Sequence, residues 1–106
     1  MTEDETNAIA KRISVHAIGS KENPIRTFTP WGSNHYLERL RSSSGEAPRW
    51  YRVGSVGEGP YGNILDHYEL LCSSVSTKPI SLYVDMYHRF HEETRTPNGF
   101  VLLSPQ

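Results

Sequence analysis

The residues whose types could bind a metal ion or transfer a proton are concentrated in the second half of the chain. Asp85, His88 and His91 follow one another closely, and carboxylate and imidazole groups are common ligands of transition metals. Neither a strand nor a helix alone brings all three side chains to one point, because side chains alternate along a strand and rotate around a helix. His67 would therefore have to complete the set from a neighbouring strand.

Two interpretations of this set of four residues are open. In the first, they form a site in a small metal-binding protein or hydrolytic enzyme, with Asp66 and Glu69 as further acid or base groups. In the second, they are solvated side chains of a charged segment. We prefer the second, because surface histidine and carboxylate groups bind a metal tightly only when other groups orient them. The sequence therefore predicts no bound cofactor and leans towards a protein that is not an enzyme.

The segment Gly57–Gly62, GEGPYG, matches the G-x-G-x-x-G motif of dinucleotide-binding folds. Bare glycines would let the backbone approach a pyrophosphate, and Asp85 lies at about the distance at which such folds place a ribose-binding carboxylate. However, Pro60 removes one backbone donor, and the motif would have to open a helix. We prefer a turn-rich connection between strands, since isolated matches to this motif are common.

A third set combines arginine with aromatic residues between positions 23 and 52. This combination is enriched at protein–protein hot spots, and it also binds single-stranded nucleic acid by stacking and phosphate contact. The formal net charge of the chain is −1, so no overall positive field attracts nucleic acid, and a protein partner is the better prediction. The predicted protein-binding patch consists of Trp31, Arg39, Arg41, Arg49, Trp50 and Arg52.

Length and composition exclude several classes of protein. The chain has 106 residues, which suits one domain, and its single cysteine, Cys72, allows no internal disulfide. The N-terminus is acidic and lacks the apolar centre of a signal peptide. No apolar run reaches the roughly 20 residues of a membrane helix. We therefore expect a soluble cytoplasmic protein that does not associate with membranes.

Alternation of apolar and polar residues predicts the strands that carry these side chains. The clearest strand is Lys78–Tyr87, which Pro79 opens. Ile64–Ser73 fits either a helix or a strand, and we choose a strand because the short polar link Ser74–Lys78 suits a hairpin. The other predicted extended segments are Arg12–Ile18, Ile25–Thr29, Trp50–Val56 with a weak point or bulge at Gly54, and Phe100–Leu103. A short helix over Ala8–Arg12 is the alternative at the start of the first of these.

One helix is predicted at Trp31–Gly45, with Ser33 or Asn34 as its N-cap and Gly45 at the left-handed position beyond its end. The sum is an α+β domain: a mainly antiparallel sheet of about four to six strands with one short helix on one face. Residues 8–106 form this domain, and residues 1–7 are predicted to be a disordered N-terminus.

The leading functional hypothesis is a non-enzymatic protein-binding or regulatory module of bacterial or phage type. An immunity or inhibitor protein, or a homodimer, is one form that such a module could take. The alternatives are the metal-binding or hydrolytic protein described above and a nucleotide-binding protein that uses Gly57–Gly62.

Overall fold

The fold is built on a four-stranded mixed sheet whose core lies on one face. The computed structural model describes residues 1–105. Its elements are α1 (Glu3–Ile13), β1 (Ile25–Arg26), α2 (Thr29–Glu38), β2 (Leu40–Ser42), β3 (Arg49–Glu58), β4 (Ile64–Leu71), β5 (Ile80–Asp85) and β6 (Phe100–Leu102). The sheet has the order β1-β5-β4-β3, with β1 parallel to β5 and the other pairs antiparallel. β2 and β6 form a separate antiparallel pair. The predicted α+β class is confirmed.

The β4–β5 hairpin is the part of the fold that the sequence predicts best. Tyr68 pairs with Leu82 and Leu70 with Ile80, so the alternating apolar residues of both strands share the core face. The strand interpretation of Ile64–Ser73 is therefore confirmed over the helix. The register of β3 against β4 shifts between Arg52 and Gly54, which confirms a bulge at the glycine.

α2 covers the core face of the sheet, but it is shorter than the predicted helix. It begins at Thr29 and has a proline in its first turn, where a missing N–H costs nothing. The prediction that Ser33 or Asn34 caps it is wrong, since the N-cap is Phe28 and makes no side-chain cap bond. The helix ends before Gly45 because the chain leaves it to pair β2 with β6.

α1 is longer than the short helix that the sequence allows over Ala8–Arg12, and the strand predicted at Arg12–Ile18 is wrong. The sequence also predicts that residues 1–7 are frayed, whereas the structure places Glu3–Asn7 in the first turns of this helix. The reason is a capping box: Glu5 N–H donates to the hydroxyl of Thr2, and the Glu5 carboxylate accepts from Thr2 N–H. Acidic residues in the first turn and basic residues in the last also match the helix dipole. The described part of the chain thus contains two helices and not one.

Within residues 1–105, no helix is long and apolar enough to cross a membrane.

Candidate functional site

A buried polar cluster forms on the face of the sheet that α2 does not cover. Arg26 and Asp85 are register partners in β1 and β5, next to the core pair Ile25 and Val84. Because side chains alternate along a strand, Arg26 and Asp85 face away from that core. Even so, Asp85 is completely buried and Arg26 is only 9% exposed. Two oppositely charged groups are therefore withdrawn from water at the edge of the sheet.

His88 lies between these two charges. Its backbone N–H donates to Thr27 O, which extends the β1–β5 pairing and fixes the position of the ring. Arg26 Nε donates to His88 Nδ1 at 3.2 Å, so this ring nitrogen acts as an acceptor. His88 Nε2 lies 3.1 Å from Asp85 Oδ2 but is too poorly aligned for a hydrogen bond. This contact is therefore electrostatic.

The loop between β3 and β4, which contains Gly59–Gly62, supplies two further members of the cluster, Tyr61 and Asn63. Gly59 N–H donates to Asn63 O and Gly62 N–H to Gly59 O, which closes a tight loop between β3 and β4. Asn63 Nδ2 donates to both oxygens of Asp85 at 3.1 Å. The loop runs from strand to strand, so the helix that a nucleotide-binding motif requires is absent from this segment.

Tyr61 is the apolar anchor of that loop and is 3% exposed. Its ring packs edge-on against His88 at 4.6 Å between centroids, and the Arg26 guanidinium lies over its face at 5.0 Å. Burial raises the pKa of the Tyr61 phenol, partly offset by the positive charges of Arg26 and Arg95. The hydroxyl makes no hydrogen bond within residues 1–105.

A second ionic cluster holds the segment from residue 86 to residue 99, called here the 86–99 segment, which contains no helix or strand. Glu93, 6% exposed, accepts hydrogen bonds from Arg95 and from His91 Nε2 at 2.6 Å. Arg95 also donates to Asn23 Oδ1, and its carbonyl accepts from the Tyr36 hydroxyl at 2.7 Å. Burial raises the pKa of Tyr36, so this hydroxyl stays a donor. The segment is thereby tied to α2 and to the loop before β1.

The four candidate metal ligands do not converge. Asp85 and His88 meet, but His91 is engaged by Glu93, and its ring centroid lies 6.5 Å from that of His88. His67 lies on the same face of the sheet as Asp85. However, its ring stacks on Tyr83, and its Nε2 forms a hydrogen bond with Ser81, which lies along β5 in the direction away from Asp85. No group of three His, Cys, Asp or Glu side chains in residues 1–105 could hold a metal ion.

The predicted arginine–aromatic patch is also divided. On β3, Trp50 and Arg52 share the core face, whereas Arg49 lies on the opposite face. Trp50 packs edge-on against Tyr68, and Arg52 pairs with Asp66 at 2.9 Å. Two other members bond backbone carbonyls: Arg39 binds Leu103 O, and Arg41 binds the carbonyls of Glu38 and Leu40. Of the aromatic members, only Trp31 is strongly exposed, at 86%.

Exposed aromatic residues instead gather where the 86–99 segment meets the start of α2. Phe28 and Tyr87 form a bridge between the two, and they are 42% and 55% exposed. Phe90 is 95% exposed. The Arg89 guanidinium lies over the rings of Phe28 and Phe90, at 5.8 and 5.6 Å from their centroids. We call Phe28, Tyr87, Arg89 and Phe90 the aromatic surface; Trp31 is exposed in the helical turn that follows Phe28.

An open groove adjoins both the buried cluster and the aromatic surface. One wall is α1, through Thr6 and Asn7, and the floor includes Arg26 and His88. Arg89 and other residues of the 86–99 segment form the opposite wall. The groove has a volume of about 570 Å³, which is within the usual range of ligand pockets. We call it the Arg26 groove.

Sequence reasoning missed Arg26, Tyr61, Asn63, Glu93 and Arg95 as members of this region. A signal existed for Glu93 and Arg95, because acidic and basic residues two apart in a segment without periodicity can pair locally. No comparable signal existed for Arg26, whose partner His88 is distant in the chain.

Comparison with known proteins gives no match: no protein-family model, no curated protein and no solved structure corresponds significantly to this chain.

Proposed function

We propose that this protein is a non-enzymatic binding module that recognises an acidic segment of another protein through its aromatic surface. The observation that carries the proposal is the placement of the Arg89 guanidinium over two exposed phenylalanine rings. The arrangement holds a charge and apolar area together at the surface, which is the composition of a protein–protein hot spot.

Burial of this surface would supply useful binding energy. Phe90 leaves 95% of its area in water, and Tyr87 leaves 55%. Complete burial of a large apolar side chain is worth about 1.5–3 kcal/mol, so these two rings and Phe28 could anchor a partner. Exposed apolar residues also occur elsewhere, but four of the five exposed aromatic residues of the described chain lie at this junction, which supports an interface there.

The charge of the surface favours an acidic partner. Arg89 forms no ion pair within the described part of the chain, since no carboxylate lies within 4.0 Å of its guanidinium. The carboxylate of an Asp or Glu in a partner could form two parallel hydrogen bonds with the Arg89 guanidinium, while an apolar residue of the same partner covers Phe90. A regulatory or inhibitory role in a bacterial or phage-infected cytoplasm belongs to this proposal, and the single buried cysteine, Cys72, supports a reducing compartment.

Panning of a random peptide library displayed on phage tests the proposal without a known partner. We expect the wild-type protein to enrich peptides that combine Asp or Glu with apolar residues. The double variant Arg89→Glu with Phe90→Ser should lose at least about tenfold of that enrichment, the factor for loss of one charged contact.

The matched control is Arg49→Glu with Val53→Ser. These residues are an exposed arginine and an exposed apolar residue of β3, the edge strand farthest from β1. The control should enrich the same peptides as the wild type. Enrichment of peptides without acidic residues, or undiminished enrichment by the Arg89/Phe90 variant, would contradict the proposal. Native mass spectrometry tests for a homodimer. If the wild type is a dimer and the Arg89/Phe90 variant is a monomer, the partner of this surface is a second copy of this chain and not an acidic segment of another protein.

A further inference from the structure

We propose that the Arg26 groove binds the phosphate group of an organic phosphate monoester, with Arg26 as the principal ligand. This inference goes beyond the proposed protein-binding function: the groove shares Arg89 with the aromatic surface, but the inference rests on Arg26, which is not part of that surface. It begins from the side chain of Arg26, which is a permanent cation that is 91% withdrawn from solvent and has no ion-pair partner in the described chain.

The hydrogen-bonding capacity of Arg26 is largely unused. Its Nε donates to His88, and its two terminal amino groups donate to no atom of residues 1–105. Both amino nitrogens are accessible to solvent, because neither is a fully buried polar atom without a hydrogen-bond partner. Arg26 borders the Arg26 groove on one side and, on the other, a cavity of about 230 Å³ beside α2. Unpaired charge at such a depth is costly, and an anion in the groove would remove that cost.

The acidic groups of residues 1–105 do not supply this anion. Asp85 stands behind His88 and already accepts hydrogen bonds from Asn63 and from Tyr87 N–H. Glu93 is occupied by Arg95 and His91. Among the described residues, Glu3 is the one carboxylate that lines the Arg26 groove, and it forms no ion pair with Arg26.

The other walls carry further donors for an oxyanion. Arg89 comes from the 86–99 segment and Asn7 from α1, whereas the Thr6 hydroxyl and His91 Nε2 already donate to Thr2 O and Glu93. Donors on two facing walls and the floor suit a group with several oxygens and two negative charges better than a planar carboxylate with one. The groove, at about 570 Å³, is also much larger than a bare phosphate ion, so it has room for an organic ester.

Titration with phenyl phosphate, followed by calorimetry and by amide NMR shifts, tests the site. We expect saturable binding with shifts at Arg26, His88 and Thr6. Arg26→Gln should weaken binding by about 10- to 100-fold, the factor for loss of a charge-assisted contact. Arg26→Lys should weaken it less, because the charge remains and the bidentate fork is lost.

A second variant keeps the test decisive if Arg26→Gln fails to fold. Asn7→Asp adds a carboxylate on the exposed wall of α1 without touching the buried cluster, and it should also weaken binding at least about tenfold. Its matched control, Asn98→Asp, adds the same charge in an exposed turn outside the groove and should bind as the wild type does.

Several outcomes would overturn the inference. These are the absence of saturable binding of phenyl phosphate by the wild type, unchanged binding by both Arg26→Gln and Asn7→Asp, and benzoate binding as tight as phenyl phosphate binding. A phosphotyrosine peptide that binds tighter than phenyl phosphate would assign the phosphate to a modified protein, and equal affinities would assign it to a small molecule. Phe28→Ser changes a member of the aromatic surface that does not line the Arg26 groove, and it should leave phenyl phosphate binding intact. Failure of the aromatic surface and failure of this site therefore give different results.

Discussion

Replacement of Glu93 by glutamine removes the carboxylate that orients Arg95, whose other contacts tie the 86–99 segment to Asn23 and to α2. The Glu93 carboxylate accepts from Arg95 Nε at 2.7 Å, from Arg95 Nη2 at 3.2 Å and from His91 Nε2 at 2.6 Å. Glutamine has nearly the same shape, but its amide places two donors where a second acceptor is needed. The variant therefore tests charge and hydrogen bonding without a change in volume.

The expected loss follows from these contacts. A hydrogen bond to a charged group contributes about 1.5–3 kcal/mol, and the loss of one partner of a buried pair costs about 3–5 kcal/mol. The Arg95 side chain is 30% exposed, so water can partly solvate it once Glu93 is neutral. We therefore expect the free energy of unfolding to fall by about 2–4 kcal/mol, which corresponds to a decrease in Tm of roughly 10–25 °C.

Urea unfolding followed by tryptophan fluorescence measures this loss. The matched control is Glu92→Gln, which removes an exposed carboxylate next in the chain and should change the free energy of unfolding by less than about 0.5 kcal/mol. If Glu93→Gln is also within about 0.5 kcal/mol of the wild type, the ionic cluster does not stabilise the fold and our reasoning about the 86–99 segment is refuted.

The pH dependence gives an independent check on the same residue. Burial would raise the pKa of Glu93, but the hydrogen bonds from His91 and Arg95 outweigh it and hold the pKa below its usual value. The resulting stability is complete above the unfolded pKa of about 4.3 and is lost as the pH falls through the lower folded pKa. The difference in unfolding free energy between wild type and Glu93→Gln should therefore be full at pH 7 and shrink in strong acid.

Two further substitutions test backbone features. Gly19→Ala should destabilise the protein by about 1–3 kcal/mol, because Gly19 has a φ of +90° and a Cβ there would lie 2.5 Å from Leu82 Cδ1. Thermal unfolding should show no such loss for Gly57→Ala, whose Cβ would meet open space, and equal stability of the two variants would contradict this account. Thr2→Ala should lower the protection of the α1 amides in hydrogen exchange by the equivalent of about 0.5–2 kcal/mol, since it removes the capping box. Unchanged protection would mean that packing alone holds α1.

The sequence could predict the central hairpin because two independent signals agreed there. The alternation in Lys78–Tyr87 gave the strand period, and the polar link before it gave the turn. At α1 the two signals disagreed. The parity of Ile13 and Val15 suggested a strand, yet Val15 is 84% exposed, and the capping residues Thr2 and Glu5 decide the local structure.

The candidate site was only partly predictable for a different reason. Asp85 and His88 are close in sequence, so their contact follows from local geometry. The arginine between positions 23 and 52 that reaches this pair is Arg26, which comes from a two-residue strand. Arg26 lies beside Asp85 because β1 pairs in parallel with β5, and hydrophobic alternation does not encode this long-range register.

The same pairing explains why polar chemistry collects at this edge of the sheet. β1 is only two residues long, so it pairs with the backbone at the end of β5 and leaves the side chains on the outer face of β5 uncovered. Tyr61 and Asn63 of the β3–β4 loop close that face from one side and leave the other side to the Arg26 groove. A cation in this position is shielded from bulk water but not from a ligand that enters the groove. The short strand therefore leaves Arg26 both buried and available, which is the combination that an anion site requires.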